Sequence, residues 1–326
     1  SNTAVGYEAL NKNTEALYNS ALGRQALCAN TTGASNTAVG MQALKSNTTA
    51  SDNTAIGCGA LEANTVAGNT AIGRDALTAN TTGTNNVAVG LLSMVGNTEG
   101  DNNVAIGKQA LDANTTADDN TAVGTAALGA NTTGTGNVAV GKDAMLYGTT
   151  GDYNVALGML TLGGSDVSTG NHNISIGRKS MFDNTSGNQN VAIGSSSLEN
   201  NTTAANNTAV GFCSMKANTT GASNTAVGFN TLPANTTADN NTAVGLNALQ
   251  ANTTGNSNVA VGSYSLSTAI TATNNAAVGH CALNLTTTGS NAAFGANALR
   301  AQTTGIYNTA VGSAAGLKTT TGTRNV

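Results

Sequence analysis

A glycine returns about every seventeen residues from one end of this 326-residue chain to the other. Anchored on the Gly that follows Val, Ile, Leu or Phe, copies fall at Gly6, Gly23, Gly40, Gly57, Gly73, Gly90, Gly107, Gly124, Gly141 and Gly158. They continue at Gly177, Gly194, Gly211, Gly228, Gly245, Gly262, Gly279, Gly295 and Gly312. Of the eighteen gaps between these nineteen anchors, fifteen are 17 residues, two are 16 and one is 19. Such regularity over a whole chain marks a stacked, solenoid architecture in which one copy is one coil. An enzyme brings unlike residues together at one place. This chain brings like residues together at many.

With each anchor Gly counted as slot 0, slot −4 is Asn in every copy: Asn2, Asn19, Asn36, Asn53, Asn69, Asn86, Asn103, Asn120, Asn137, Asn154, Asn173, Asn190, Asn207, Asn224, Asn241, Asn258, Asn275, Asn291 and Asn308. Slot −2 is Ala except for Ser175, and slot −1 is Val, Ile or Leu with Phe294 the lone aromatic. Slot +4 is Leu or Met until the last copy, which has Gly316. Val, Ile and Thr around slots −3 and −1 favour extended backbone, while Gly and Asn every few residues break helices. The expected fold is all-β: a parallel β-solenoid, or β-roll, of about nineteen 17-residue coils, continuous over residues 1–326. Strands are expected near slots −4 to −1 and +3 to +9, with turns at 0 to +2 and at +10. At about 4.8 Å per coil such an array makes a rod of roughly 90 Å.

The short gaps, through "LEANTVAGN" and "LNLTTTGSN", and the long one, through "LGGSDVSTGNHN", all change the region after slot +4, and insertions collect in loops. Charged residues avoid slots −4 to 0 and +3 to +4. The "NTAVG" and "AL" elements are therefore expected inside and the "ANTTG" segment outside. Each copy then offers its interior only two sizeable apolar side chains, at −1 and +4. Small residues at −2 and 0 suit close approach of another backbone. A thin roll that completes its core against copies of itself follows, most simply three around an axis.

The motif N-x-A-[VI]-G-x-x-[AS]-L, as in "NTAVGYEAL", "NVAIGKQAL" and "NVAIGSSSL", resembles the head repeats of trimeric autotransporter adhesins. The fuller unit with "ALxANTTG" is similar to repeats of bacteriophage and bacterial tail-fibre-type proteins. The resemblance covers essentially the whole chain and implies a homotrimeric β-roll fibre, although the 17-residue repeat is longer than the usual adhesin-head repeat. The chain opens and closes within a copy and reads as a segment of a longer fibre protein.

The Asn at slot −4 reads as a structural ladder of stacked amides. N-T-T recurs at Asn30, Asn47, Asn80, Asn114, Asn131, Asn201, Asn218, Asn235 and Asn252, each formally an acceptor for N-linked glycosylation. The competing reading, which the bacterial or phage resemblance favours, is plain turn chemistry at a solvated bend.

Charged residues are 9% of the chain, against about 25% in typical globular proteins. Twelve basic and sixteen acidic residues give a net charge of −4 with no basic stripe, so no nucleic-acid partner is expected. No apolar run approaches the length of a membrane span, so no membrane insertion is expected of this segment. No metal, cofactor or catalytic residue is expected either. Cys28, Cys58, Cys213 and Cys281 form no C-x-x-C, His172 and His280 occupy different slots, and Asp101, Asp118 and Asp119 lack the spacing of calcium-binding rolls.

The function expected is that of a structural and adhesive extracellular fibre on a cell or virion surface. A rigid shaft would present variable outer turns to a cell-surface glycan or protein receptor, with many weak contacts adding by avidity. The alternative is an ice-binding solenoid using Thr at +8 and +9. A third reading is a glycan-active enzyme carried on a fibre, which would need two positioned carboxylates.

Overall fold

A computed structural model describes residues 1–164 and 167–326 and shows a parallel β-solenoid of nineteen strands, with no helix among the described residues. Ser165 and Asp166, which belong to the long gap, lie outside the described residues. The chain divides into two compact units, Ser1–Thr169 and Gly170–Val326. In the first, strands numbered in chain order from β1 (Thr3–Val5) to β10 (Val155–Leu157) each pair in parallel with the next. In the second, β11 (Ile174–Ile176) to β19 (Thr309–Val311) do the same. Register advances by one copy, so Ala88, Ala105 and Ala122 stack. The short copies keep it: Ala55 still faces Ala71, and Ala277 faces Ala293. Residues were lost from turns, and the ladder is intact.

Each strand covers only slots −3 to −1, because the Gly at slot 0 turns the chain with φ between 123° and 142°. That region is closed to residues with a Cβ. Close packing adds a second reason. A Cβ on Gly124 would stand 2.5 Å from the carbonyl oxygen of Gly141, one coil on. The small residues at 0 and −2 were expected to admit another chain; at slot 0 it is the chain's own next coil that needs the space. From Ala21 onward, Ala at −2 is likewise buried inside the coil.

The strand expected over slots +3 to +9 does not form. Positive φ recurs at slots +2 and +4, as in Gln109 (55°) and Leu111 (53°), and folds the segment into successive turns. Ala110 N–H donates to Gly107 O and Asn114 N–H to Leu111 O, both at 3.3 Å. The peptides still bond from coil to coil, in alternating directions. Val104 and Leu111 donate to the following coil, to Asn120 O and Ala127 O, at 2.8 and 2.9 Å. Gly107 and Gln109 donate to the preceding one, to Val89 O and Leu91 O, at 2.8 and 3.0 Å. Backbone satisfaction, which a second strand would have provided, is achieved by turns.

This conformation explains why slot +4 holds Leu or Met and never Val or Ile. A left-handed backbone tolerates an unbranched Cβ better than a branched one. Leu128, fully buried with φ 52°, supplies the test. Leu128→Ile is expected to cost about 2–3 kcal/mol and Leu128→Met less than about 1 kcal/mol in denaturant unfolding. Equal losses would remove φ from the explanation.

The apolar half of each interior is slot −2, +3 and +4, represented by Ala105, Ala110 and Leu111, all fully buried. Slot −1 was expected inside as well, and the structure corrects this: Ile106 is 41% exposed, and Ile56 and Ile72 are 39% exposed. In a three-residue strand either the middle residue or its two neighbours can face in. The turn-borne Leu fills the interior, which leaves room only for Ala.

Candidate functional site

The polar half of the interior is built from two asparagine ladders that meet at one carbonyl. At slot −4, Asn103 N–H donates to Oδ1 of Asn86 one coil back (2.9 Å), and its Nδ2 crosses the coil to Ala117 O at slot +10 (2.8 Å). At slot +7, Asn114 Nδ2 donates to Asn97 Oδ1 (2.7 Å) and to the same Ala117 O (3.1 Å). Amides aligned head to tail along the axis satisfy one another in a space closed to water, where each bond is worth more than at the surface.

The second ladder contains all nine N-T-T asparagines. Expected in a solvated outer bend, Asn30, Asn47, Asn80, Asn114, Asn131, Asn201, Asn218, Asn235 and Asn252 are instead no more than 1% exposed. Their Nδ2 groups donate inward, as Asn47 does to Asn30 Oδ1 (3.0 Å) and Ala50 O (2.9 Å). The bend is real but its first residue points into the coil, because the +10 carbonyl needs donors there. The nitrogen that would carry a glycan is thus sequestered in the folded coil.

The ladder has breaks, and each leaves a buried amide oxygen without a partner among the described residues. Asn47 precedes the short copy whose Asn64 donates to Val66 O instead. Asn131 precedes Gly148, Asn252 precedes Ala269, and Gln302 precedes Thr319. Ala269 is fully buried and keeps the slot's backbone bond, from its N–H to Leu266 O (3.3 Å). Ala269→Asn should supply the missing donor to Asn252 and raise stability by about 1 kcal/mol. A neutral or negative change in the unfolding midpoint would mean that this oxygen is not waiting for a donor.

Charge at the same slot is expected to do the opposite. Asn97 is fully buried, donates to Asn80 Oδ1 (2.9 Å) and Gly100 O (3.1 Å), and accepts from Asn114. Asn97→Asp keeps the shape, removes both donated bonds and sets a carboxylate against two oxygens, at a cost of about 4 kcal/mol at pH 7. Burial raises the folded pKa of that carboxyl above its unfolded value. The variant's deficit relative to the parent chain is therefore largest above the raised pKa and shrinks as pH falls through it. Unfolding midpoints at pH 7 and pH 4 check this; an equal deficit at both would contradict it.

Outside the ladders, chemistry-bearing groups are scattered. Cys28, Cys58, Cys213 and Cys281 are free thiols; burial pushes the Cys213 thiol up, with Lys216 opposing. Cys281 Sγ lies 3.5 Å from His280 Nε2, and no cluster of three metal-ligating groups exists among the described residues. Glu199 sits between Lys179 (3.9 Å) and Lys216 (3.4 Å), one coil to either side. Burial raises the Asp112 carboxyl above the usual range against opposing hydrogen bonds from its own and Ala113's backbone and from Gln109. Asp101 and Asp118 accept the N–H of Thr84 and Asp101, each one coil back, at 2.6 and 2.7 Å. Thr31 Oγ1 donates to Thr48 O (3.0 Å), and the same bond recurs between many coils along slot +8, where Ile270 cannot make it. Slot +9 is interrupted by Glu15, Val66 and Glu99. A recess of about 250 Å³ lined by Leu299, Val311 and Thr319 lies where Gly316 replaces the leucine of other coils.

No known family matches this chain, and no curated protein is significantly similar to it.

Proposed function

We propose that the chain is a non-catalytic structural and adhesive module of an extracellular fibre on a cell or virion surface. One observation carries this reading: apart from the apolar slot −1, the side chains that recur are buried and the outer slots vary. Slots −4, −2, +4 and, in most copies, +7 hold the same residue types and face inward, whereas slot +1 runs Tyr7, Arg24, Met41 and Arg74 on the outside. A catalytic or ligand site would concentrate one unlike set of groups at one exposed place. Here the repeated chemistry is spent on coil-to-coil bonding, which stiffens a shaft, and the outer slots are left free to meet a glycan or protein receptor through many weak contacts.

Assembly belongs to the same reading. The outward apolar residues at slot −1 form the surface that copies of the chain would cover in a homotrimer. Sedimentation velocity at micromolar concentration is the test. Three chains' mass with the friction of an elongated particle is expected. A monomer at every concentration would overturn the assembled fibre.

A further inference from the structure

Within the first unit, the outer face of the sheet is an apolar stripe with a differently charged border on each side. Leu22, Ile56, Ile72, Ile106 and Val140 at slot −1 are all exposed. At roughly 60–70 Å² per side chain, ten coils present on the order of 600–700 Å², close to the roughly 800 Å² per partner of a stable interface. Before the strand, slots −6 and −5 carry Asp52, Asp101, Asp118, Asp119 and Asp152, and no base in this unit. After it, slot +1 carries Arg24, Arg74, Lys108 and Lys142, all exposed, and no acid. Behind the basic border, Asp75 and Asp143 at slot +2 touch Arg74 (3.3 Å) and Lys142 (3.6 Å), while both bases stay more than 60% exposed. Such exposed pairs hold little energy and leave the bases available to another partner.

Symmetry then decides orientation. If a second copy is related by rotation about the fibre axis, the acidic border of one lies beside the basic border of the next. If it runs antiparallel, face to face, acid lies on acid and base on base, which is penalised. Unstaggered parallel copies place Lys108 in the same coil as Asp101, Arg74 one coil from Asp52, and Lys142 one coil from Asp152. We infer that the slot −1 stripe of residues 1–169 docks a second copy of this chain, parallel and in register, with Arg74, Lys108 and Lys142 of one copy against Asp52, Asp101, Asp119 and Asp152 of the next. The inference rests on the self-association proposed above and adds its polarity, register and contacts.

Charge exchange tests it. One variant carries Arg74→Glu, Lys108→Glu and Lys142→Glu. A second carries Asp52→Lys and Asp119→Lys with Asp101→Asn, Asp118→Asn and Asp152→Asn, the asparagines preserving the Oδ1 acceptors; Asn188 makes the same bond at this slot, to Asn171 N–H. Each alone should weaken self-association at low salt at least about tenfold, and both sets in one chain should restore it to within about threefold. Circular dichroism melting of each variant checks that the coils remain folded. Carbodiimide cross-linking of mixed light and ¹⁵N-labelled chains should join Lys108 to Asp101 or Asp119 between copies. An associated parent chain whose assembly ignores both variants, or whose cross-links skip these pairs, overturns the interface and leaves the fibre proposal standing. A parent chain that never associates overturns both.

Discussion

Gly124→Ala is expected to lose on the order of 4–5 kcal/mol, one of the largest effects of any single substitution in this chain. Two independent penalties act at the same atom. The backbone at Gly124 has φ 136°, where an L side chain is strained, and the new Cβ would sit 2.5 Å from Gly141 O, an atom of the backbone that cannot rotate away. Relief would require separating two coils and breaking bonds such as Gly141 N–H to Val123 O (2.8 Å). Gly59→Asn is the matched control. Its φ is 69°, and other coils already place Asn230 and Asn247 at that slot with φ of 50° and 53°. Its added Cβ meets Asp75 Oδ1, the movable end of a side chain. This control should change stability by no more than about 0.5 kcal/mol. Guanidinium unfolding of the two variants beside the parent decides the matter. A loss under about 1 kcal/mol for Gly124→Ala would show that coils can part cheaply at slot 0.

The coil and its register were legible because the same residues return at the same spacing, and stacking like over like is the simplest use of a strict repeat. The parallel pairing of Ala88, Ala105 and Ala122 follows directly from it. Direction within the coil was not legible. In a strand of three, "TAV" can turn Ala inward or Thr and Val inward, and hydrophobicity favours the wrong choice. What settles it is the bulk delivered by Leu at slot +4 from a different segment.

The turns over slots +1 to +6 were hidden for another reason. Leu at positive φ carries no turn signature, since turns are ordinarily read from Gly, Asn, Asp and Pro. The available signal was negative: no copy has Val, Ile or Thr at slot +2, +4 or −5. The second ladder had a positive signal that was discounted. Asn holds slot +7 in most copies, but polar residues are ordinarily outside and N-T-T suggests a surface acceptor. Burial of Asn114 becomes affordable only because Asn97 and Ala117 supply its partners, and those partners exist only once coils are stacked.

Two deletions test most directly the claim that one copy is one coil. Removing Asn241 to Ser257 joins Asn240 to Asn258, so Thr225–Val227 should pair with Val259–Val261 in the register it had with Thr242–Val244. Asn224 then serves Asn258 as it served Asn241, at about the same 2.9 Å. One coil interface is lost and the rest stands. Removing only Asn241 to Ala248 puts Leu249 where the ladder needs Asn and Thr253 where slot 0 needs Gly, and it throws the following coil out of step with its neighbours. Thermal melting of both is the measurement. The seventeen-residue deletion is expected to melt within a few degrees of the parent chain, and the eight-residue deletion to lose cooperative folding of the second unit. Equal damage, or greater damage from the longer cut, would contradict the coil as the unit of this structure.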